Sequence, residues 1–138
     1  MAEIGRRNRL TILYENDSGY YLDGEELGEI LLPGKYIQSG SRPGEIMDVF
    51  LYRDSEDRLV ATTEYPLAMV GEFASLRVVG MNPRMGCFLD WGLSKDLLLP
   101  LREQKEGLDL GYGVVVAVLL DQQSDRIIAS ARISRHLD

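Results

Sequence analysis

Residues 19–54 recur without a gap 67 positions later, at residues 86–121. Gly19-Tyr20-Tyr21-Leu22-Asp23 answers to Gly86-Cys87-Phe88-Leu89-Asp90, and Leu31-Leu32-Pro33 to Leu98-Leu99-Pro100. Gly40, Gly44, Val49 and Asp54 fall on Gly107, Gly111, Val116 and Asp121. One residue out of phase, Asp57-Arg58-Leu59-Val60-Ala61 matches Asp125-Arg126-Ile127-Ile128-Ala129. An internal repeat of this period sets the architecture before any single residue is interpreted. The 138 residues therefore divide into two units, expected at 1–66 and 67–138.

Units of this size fold around small cores. The pattern within each is all-β. In the first, strands are expected at Leu10–Tyr14, Tyr20–Asp23, Leu27–Leu32, Ile46–Tyr52 and Arg58–Thr63, separated by Gly-, Asn- and Asp-rich turns and a loop from Ser39 to Gly44. In the second they fall near Phe73–Met81, Cys87–Trp91, Leu97–Leu99, Val114–Leu120 and Arg126–Ala131. A brief helix is expected at Leu101–Glu106, and Pro66 to Gly71 joins the units. Five short strands in so short a span suit a closed barrel, because closure removes exposed sheet edges. The long loop between the third and fourth strands favours two tandem five-stranded OB-fold barrels, with an SH3-like barrel as the alternative.

Strand side chains alternate between faces. Leu22 and Leu89 should point inward, with Tyr20 and Cys87 sharing their parity. Tyr21 and Phe88 then lie outside, beside Asp23 and Asp90. An outward ring at the same place in both units can stack an unpaired base, or it can pack under a loop or against the neighbouring unit. On the fifth strands, Arg58, Val60 and Thr62 share the outer parity, as do Arg126, Ile128 and Ser130. Each arginine can meet a phosphate or the acidic turn before it. Lys35 and Arg102 hold matching places after the third strands, and Lys95 adds charge to the second unit. Trp91, next to Gly92, reads as a packing residue. Arg6, Arg7 and Arg9 read as a solvated N-terminal arm.

The chain carries a net charge of −7. Residues 1–68 hold 7 Lys and Arg against 13 Asp and Glu, whereas residues 69–138 hold 8 against 9. That balance opposes strong non-specific nucleic-acid binding and makes the second unit the better candidate for a local basic patch. The single cysteine, Cys87, cannot form an intrachain disulfide, which fits a reducing cytoplasm. No apolar run is long enough to span a membrane as a helix, and Met1 to Asn8 has no signal-peptide core.

Enzymatic chemistry finds no foothold. The single histidine, His136, lies beside the chain end, and Cys87 sits at an inward position, so no nucleophile–histidine set is available. One Cys and one His cannot build a structural zinc site, and the glycines form no phosphate loop opening a helix. Glu25-Glu26 reads as solvated turn. No catalytic residue, metal or cofactor is expected.

Two segments resemble the ribosomal S-one-type RNA-binding domain: Ser18 through Pro33 to Asp57-Arg58-Leu59, and Met85 through Pro100 to Asp125-Arg126-Ile127. More closely, Gly24-Glu25-Glu26-Leu27-Gly28-Glu29-Ile30-Leu31-Leu32-Pro33, Ala61-Thr62-Thr63-Glu64 and Phe88 to Pro100 resemble the bacterial conserved virulence factor B family. The resemblance implies tandem OB-fold barrels in a cytoplasmic RNA-binding protein that influences gene expression. It also implies a third barrel and a winged-helix domain beyond these two, so the chain is expected to be an N-terminal part or a short relative. Tyr21, Phe88, Asp54, Asp121, Arg58 and Arg126 carry over from the S-one pattern. Ser18 and Met85 stand where that pattern has an aromatic, and Leu32 and Leu99 where it has a histidine.

The expected ligand is therefore single-stranded RNA, bound weakly and with little sequence preference through Tyr21, Lys35, Arg58, Phe88, Lys95, Arg102 and Arg126. The alternative is a scaffold whose barrels dock on a protein partner, the outer rings serving as anchors.

Overall fold

A computed structural model describes residues 1–37 and 40–137. It consists of two compact units, Met1–Tyr65 and Pro66–Asp138. Ser39, expected in the loop before the fourth strand, lies outside the described residues.

In the first unit, β1 (Arg7–Asn16), β2 (Gly19–Asp23), β3 (Glu29–Pro33), β4 (Ile46–Arg53) and β5 (Leu59–Thr62) close in the order β1-β2-β3-β5-β4. All neighbours are antiparallel except β3 and β5, which meet in parallel at Leu31 and Val60. The length of β1 makes closure possible. Arg7 to Thr11 pair with β4, and Ile12 to Asn16 pair with β2. The register slips between Ile12 and Tyr14, and such a bulge bends a strand so that one strand can serve two neighbours.

The second unit repeats this with β6 (Phe73–Asn82), β7 (Gly86–Asp90), β8 (Leu97–Pro100), β9 (Gly113–Leu120) and β10 (Ile127–Ser130), closed as β10-β8-β7-β6-β9. Its bulge lies between Val78 and Gly80. These are the OB-type barrels that the strand count implies.

The cores follow from alternation. Leu10, Ile12, Leu22, Ile30, Leu32, Val49, Leu51 and Ala61 are buried in the first unit. Leu76, Val78, Leu89, Leu97, Leu99, Val116, Val118 and Ala129 take the same places in the second. Tyr20 and Cys87 are buried with them, as their parity implies. Gly19 and Gly86 adopt φ of 145° and 135°, and a Cβ there would lie 2.1 Å from the carbonyl oxygens of Leu32 and Leu99. Only glycine lets the two strands meet at that point.

Several local expectations need correction. The helix expected at Leu101–Glu106 is one 3-10 turn, Leu101–Glu103, because Gln104 is already extended after its amide bonds to the Leu101 carbonyl. The third strand starts at Glu29 and not at Leu27, since Glu25–Leu27 form a 3-10 turn closed by Gly24 and Gly28. Arg7 and Arg9 belong to β1 rather than to a solvated arm. The buried Asn8 side chain ties the preceding residues down by bonding to the Glu3 amide and to the Glu3 and Arg6 carbonyls.

The outer side of the fifth strands is also not open. Val60, Thr62, Ile128 and Ser130 are buried. In the second unit the covering group is the 3-10 turn: the Ser130 hydroxyl donates to Glu103 Oε1 at 2.6 Å, and the Ala131 amide to the Glu103 carbonyl. The segment after Tyr65 packs on the second barrel, with the Leu67 amide on the Trp91 carbonyl and Gly71 on Val118. Trp91 is buried and its indole N–H donates to the Lys95 carbonyl at 2.7 Å, a packing role.

Candidate nucleic-acid interface

Strand register puts the outward residues of each barrel into rows. In the first barrel one row runs Tyr14, Tyr21, Leu31, Val60. Tyr21 is half-buried and Tyr14 stacks on it, ring centroids 4.9 Å apart and planes 11° off parallel. The Tyr14 hydroxyl donates to Glu29 Oε1 at 2.7 Å, which fixes the outer ring of the stack. The Tyr14 phenol is raised above its ordinary value, first by that hydrogen bond and then by burial and the Glu29 charge.

The next row, about 7 Å along the strands, holds Asp23, Glu29 and Arg58. Arg58 is exposed but committed. Its Nε lies 3.0 Å from Asp54 Oδ2, and its terminal nitrogen 2.7 Å from Glu56 Oε2. Asp54 also accepts the Arg58 and Glu56 amides. Burial pushes the Asp54 carboxyl up, but the hydrogen bonds from Arg58 and from the Glu56 amide outweigh it and hold it below its ordinary range. A phosphate reaching Arg58 must displace these carboxylates.

In the second barrel the corresponding row runs Gly80, Phe88, Leu98, Ile128. Gly80 takes the place of Tyr14, and among the described residues no second ring stacks on the half-buried Phe88. The row beyond holds Asp90, Asp96 and Arg126, and Arg77 pairs directly opposite Asp90. Arg77 is exposed and makes no ion pair or side-chain hydrogen bond among the described residues. Lys95 precedes Asp96 and is half-buried, and its carbonyl accepts the Trp91 indole N–H. Asp121, the counterpart of Asp54, accepts the Ser124 hydroxyl at 2.7 Å. Asp96 is raised, first by desolvation and then by the Asp90 charge.

The two faces thus differ where it matters. Around the same frame the first barrel sets Arg58 against Asp23, Glu29, Asp54 and Glu56. The second sets Arg77, Lys95 and Arg126 against Asp90, Asp96 and Asp121. The charge asymmetry of the chain falls on the candidate face.

The remaining candidates lie elsewhere. Lys35 sits in the 3-10 turn Gly34–Tyr36 after β3, its ammonium 5.0 Å from the Tyr36 ring centroid. Arg102 sits in the matching turn after β8, its Nε 3.7 Å from Glu103, its carbonyl accepting from Arg132. Both follow the end of the strand opposite to the arginine row, so the candidate cations of each barrel do not form one cluster. A cavity of about 250 Å³ beside the β6–β7 turn is lined by Met81, Pro83, Cys87, Leu101 and Gln104, and contains none of these cations. Burial pushes the Cys87 thiol up. Among the described residues no group of three His, Cys, Asp or Glu could hold a metal ion, and no helix is long and apolar enough to cross a membrane.

Comparison with known proteins gives this geometry its context. Residues 4–64 match the S1 domain family. The matched span is almost the whole first barrel, and the second barrel repeats its strand order and core. The chain is 36% identical over 96 residues to the Bacillus subtilis protein YitL, itself described as uncharacterized; the match spans 69% of this chain and 32% of that protein. Its fold is similar to a solved multidomain protein with nucleic acid binding domains from Streptococcus pneumoniae TIGR4, with a TM-score of 0.74 and 25% identity, over 91% of this chain and 45% of that one. The chain therefore spans less than half the length of both.

Three residues of these faces are not marked by the sequence repeat: Tyr14, Gly80 and Arg77. All lie on the first strand of a barrel. The β1–β2 turn is one residue shorter than the β6–β7 turn, so the first strands align at a spacing of 66 while the ungapped repeat holds at 67. Strand alternation alone would have marked Arg77, which lies between the inward Leu76 and Val78.

Proposed function

We propose that this chain binds single-stranded RNA, chiefly on its second barrel, by stacking an unpaired base on Phe88 while Arg77, Lys95 and Arg126 meet the phosphates. The observation that carries this reading is Phe88 with Gly80 opposite it, one row from the exposed Arg77, which makes no ion pair among the described residues, at the place where the first barrel has the stacked Tyr14–Tyr21 pair. Base–aromatic stacking is worth about 1–3 kcal/mol and tolerates any base, so sequence preference is low. The net charge of −7 and the leucines at the two usual histidine positions support weak binding by this chain alone.

The S-one-type resemblance, the S1 match and the similarity to a protein with nucleic acid binding domains support the same reading. The whole protein, on this view, is a non-enzymatic cytoplasmic regulator of gene expression of the conserved virulence factor B type, with a third barrel and a winged-helix domain strengthening the contact. The first barrel, whose Tyr14–Tyr21 stack is already complete, suits a scaffold role better.

Fluorescence anisotropy with a labelled mixed-sequence RNA oligomer tests this. Binding should appear in the micromolar range and weaken as salt rises from about 50 to 200 mM. Phe88→Ala with Arg126→Ala should weaken it without unfolding the barrel. No binding at high micromolar protein would refute the reading for this chain.

A further inference from the structure

Gly80 is a glycine that its own backbone does not require. Its φ lies outside the left-handed region, unlike ten other glycines of the chain. A Cβ built on it would lie 3.5 Å from Phe88 Cβ and Cδ2, an ordinary contact. The bulge does not demand it either, because the first barrel has the same bulge with Tyr14 at that place. Glycine in a strand costs chain entropy and offers no side chain to its neighbours. Neither the backbone angle nor the bulge therefore requires glycine here.

The first barrel shows what a large residue does there. Tyr14 lies against Tyr21 in the offset-stacked geometry that aromatic pairs prefer. A nucleobase stacking on that side of Tyr21 would occupy the same space. Opposite Phe88, Gly80 contributes no side chain, and Arg77 stands beyond the bulge on the same strand.

We propose that Gly80 is a specificity-determining residue, whose lack of a side chain reserves the space beside Phe88 for an unpaired base and so directs nucleic acid to the second barrel. The reading of Phe88 as a base platform underlies it. The residue opposite the outward aromatic thus acts as a selector between barrels of one fold, Tyr14 closing the first and Gly80 opening the second.

The test uses the whole chain and a labelled mixed-sequence RNA oligomer. Gly80→Tyr copies the first barrel and should weaken binding by about tenfold or more, the scale of a lost stacking contact. Gly80→Ala, whose methyl fits at contact distance, should stay within about threefold of the parent. The salt dependence of Gly80→Tyr should keep the parent slope, because the phosphate contacts survive; a displaced barrel would lose that slope as well. A melting curve confirms that each variant is folded. If Gly80→Tyr does not fold, Gly80→Leu takes its place with the same expectation. Should the large variant bind like the parent while Phe88→Ala does not, the selector role is overturned and base stacking stands. Should the parent fail to bind, or Phe88→Ala bind unchanged, the stacking reading falls and Gly80 with it.

Discussion

Tyr14 and Tyr21 face each other across β1 and β2 as a stacked pair, and the Tyr14 hydroxyl is anchored on Glu29 of β3. Three strands are thereby joined on the outer face of the first barrel. The Glu29 hydrogen bond is the largest cause of the raised Tyr14 phenol. A raised phenol favours folding while it is protonated: the contribution is present below the ordinary value of 10.0 and is lost as pH rises through the folded value. Glu29→Gln should bring Tyr14 back toward that ordinary value. Tyrosine absorbance followed from neutral to alkaline pH, with Tyr14→Phe identifying the shifted residue, measures it. An unchanged titration would separate Glu29 from the stack.

The Asp54–Arg58 turn predicts an acid response of opposite sign. The folded carboxyl lies below its ordinary 3.8, so its contribution is present above that value and is lost as pH falls through the lowered one. Asp54→Asn removes the charge and should flatten the acid limb of stability below about pH 4, while leaving the second barrel unaffected. Urea unfolding from pH 2.5 to 7, compared with the parent, checks it. Equal acid slopes in both proteins would show that Asp54 is not held by Arg58 in solution.

Two features of the repeat explain what the residue order made legible. Inward positions recur because a barrel interior admits only apolar side chains at alternate places, and this located the core, both outward rings and the glycines between strands. The ion pair of Arg58 with its own turn was also within reach, since Asp54 lies four residues away. The first strands were not legible, because a turn of different length breaks the ungapped register there. The ungapped repeat therefore does not bring Tyr14 and Gly80, the partners of the two rings, into correspondence. Alternation could not foresee the burial of Thr62 and Ser130 either. In the second barrel that burial comes from Glu103, which lies 27 residues away in sequence.

Gly86 illustrates a constraint that does belong to the backbone. With φ at 135° and the Leu99 carbonyl 2.1 Å from a would-be Cβ, Gly86→Ala must separate β7 from β8. The loss should exceed about 2 kcal/mol, whereas Gly80→Ala should change stability by less than about 1 kcal/mol. Chemical denaturation of the two variants gives the comparison. Similar losses would mean that the two glycines are held by the same kind of constraint.

Arg77 and Arg58 should respond differently to loss of charge, because only one has a local partner to release. Arg77 has no ion pair among the described residues, so Arg77→Gln removes a cation available to phosphate. The slope of log affinity against log salt should fall by about one and affinity should drop for every RNA sequence alike. Arg58 is already neutralised by Asp54 and Glu56. Arg58→Gln should therefore leave the salt slope nearly unchanged and act instead on the stability of the first barrel. Anisotropy titrations at three salt concentrations, paired with melting curves, distinguish the two. If Arg58→Gln lowers the slope as much as Arg77→Gln does, the first barrel shares the RNA and the division of labour between the barrels is wrong.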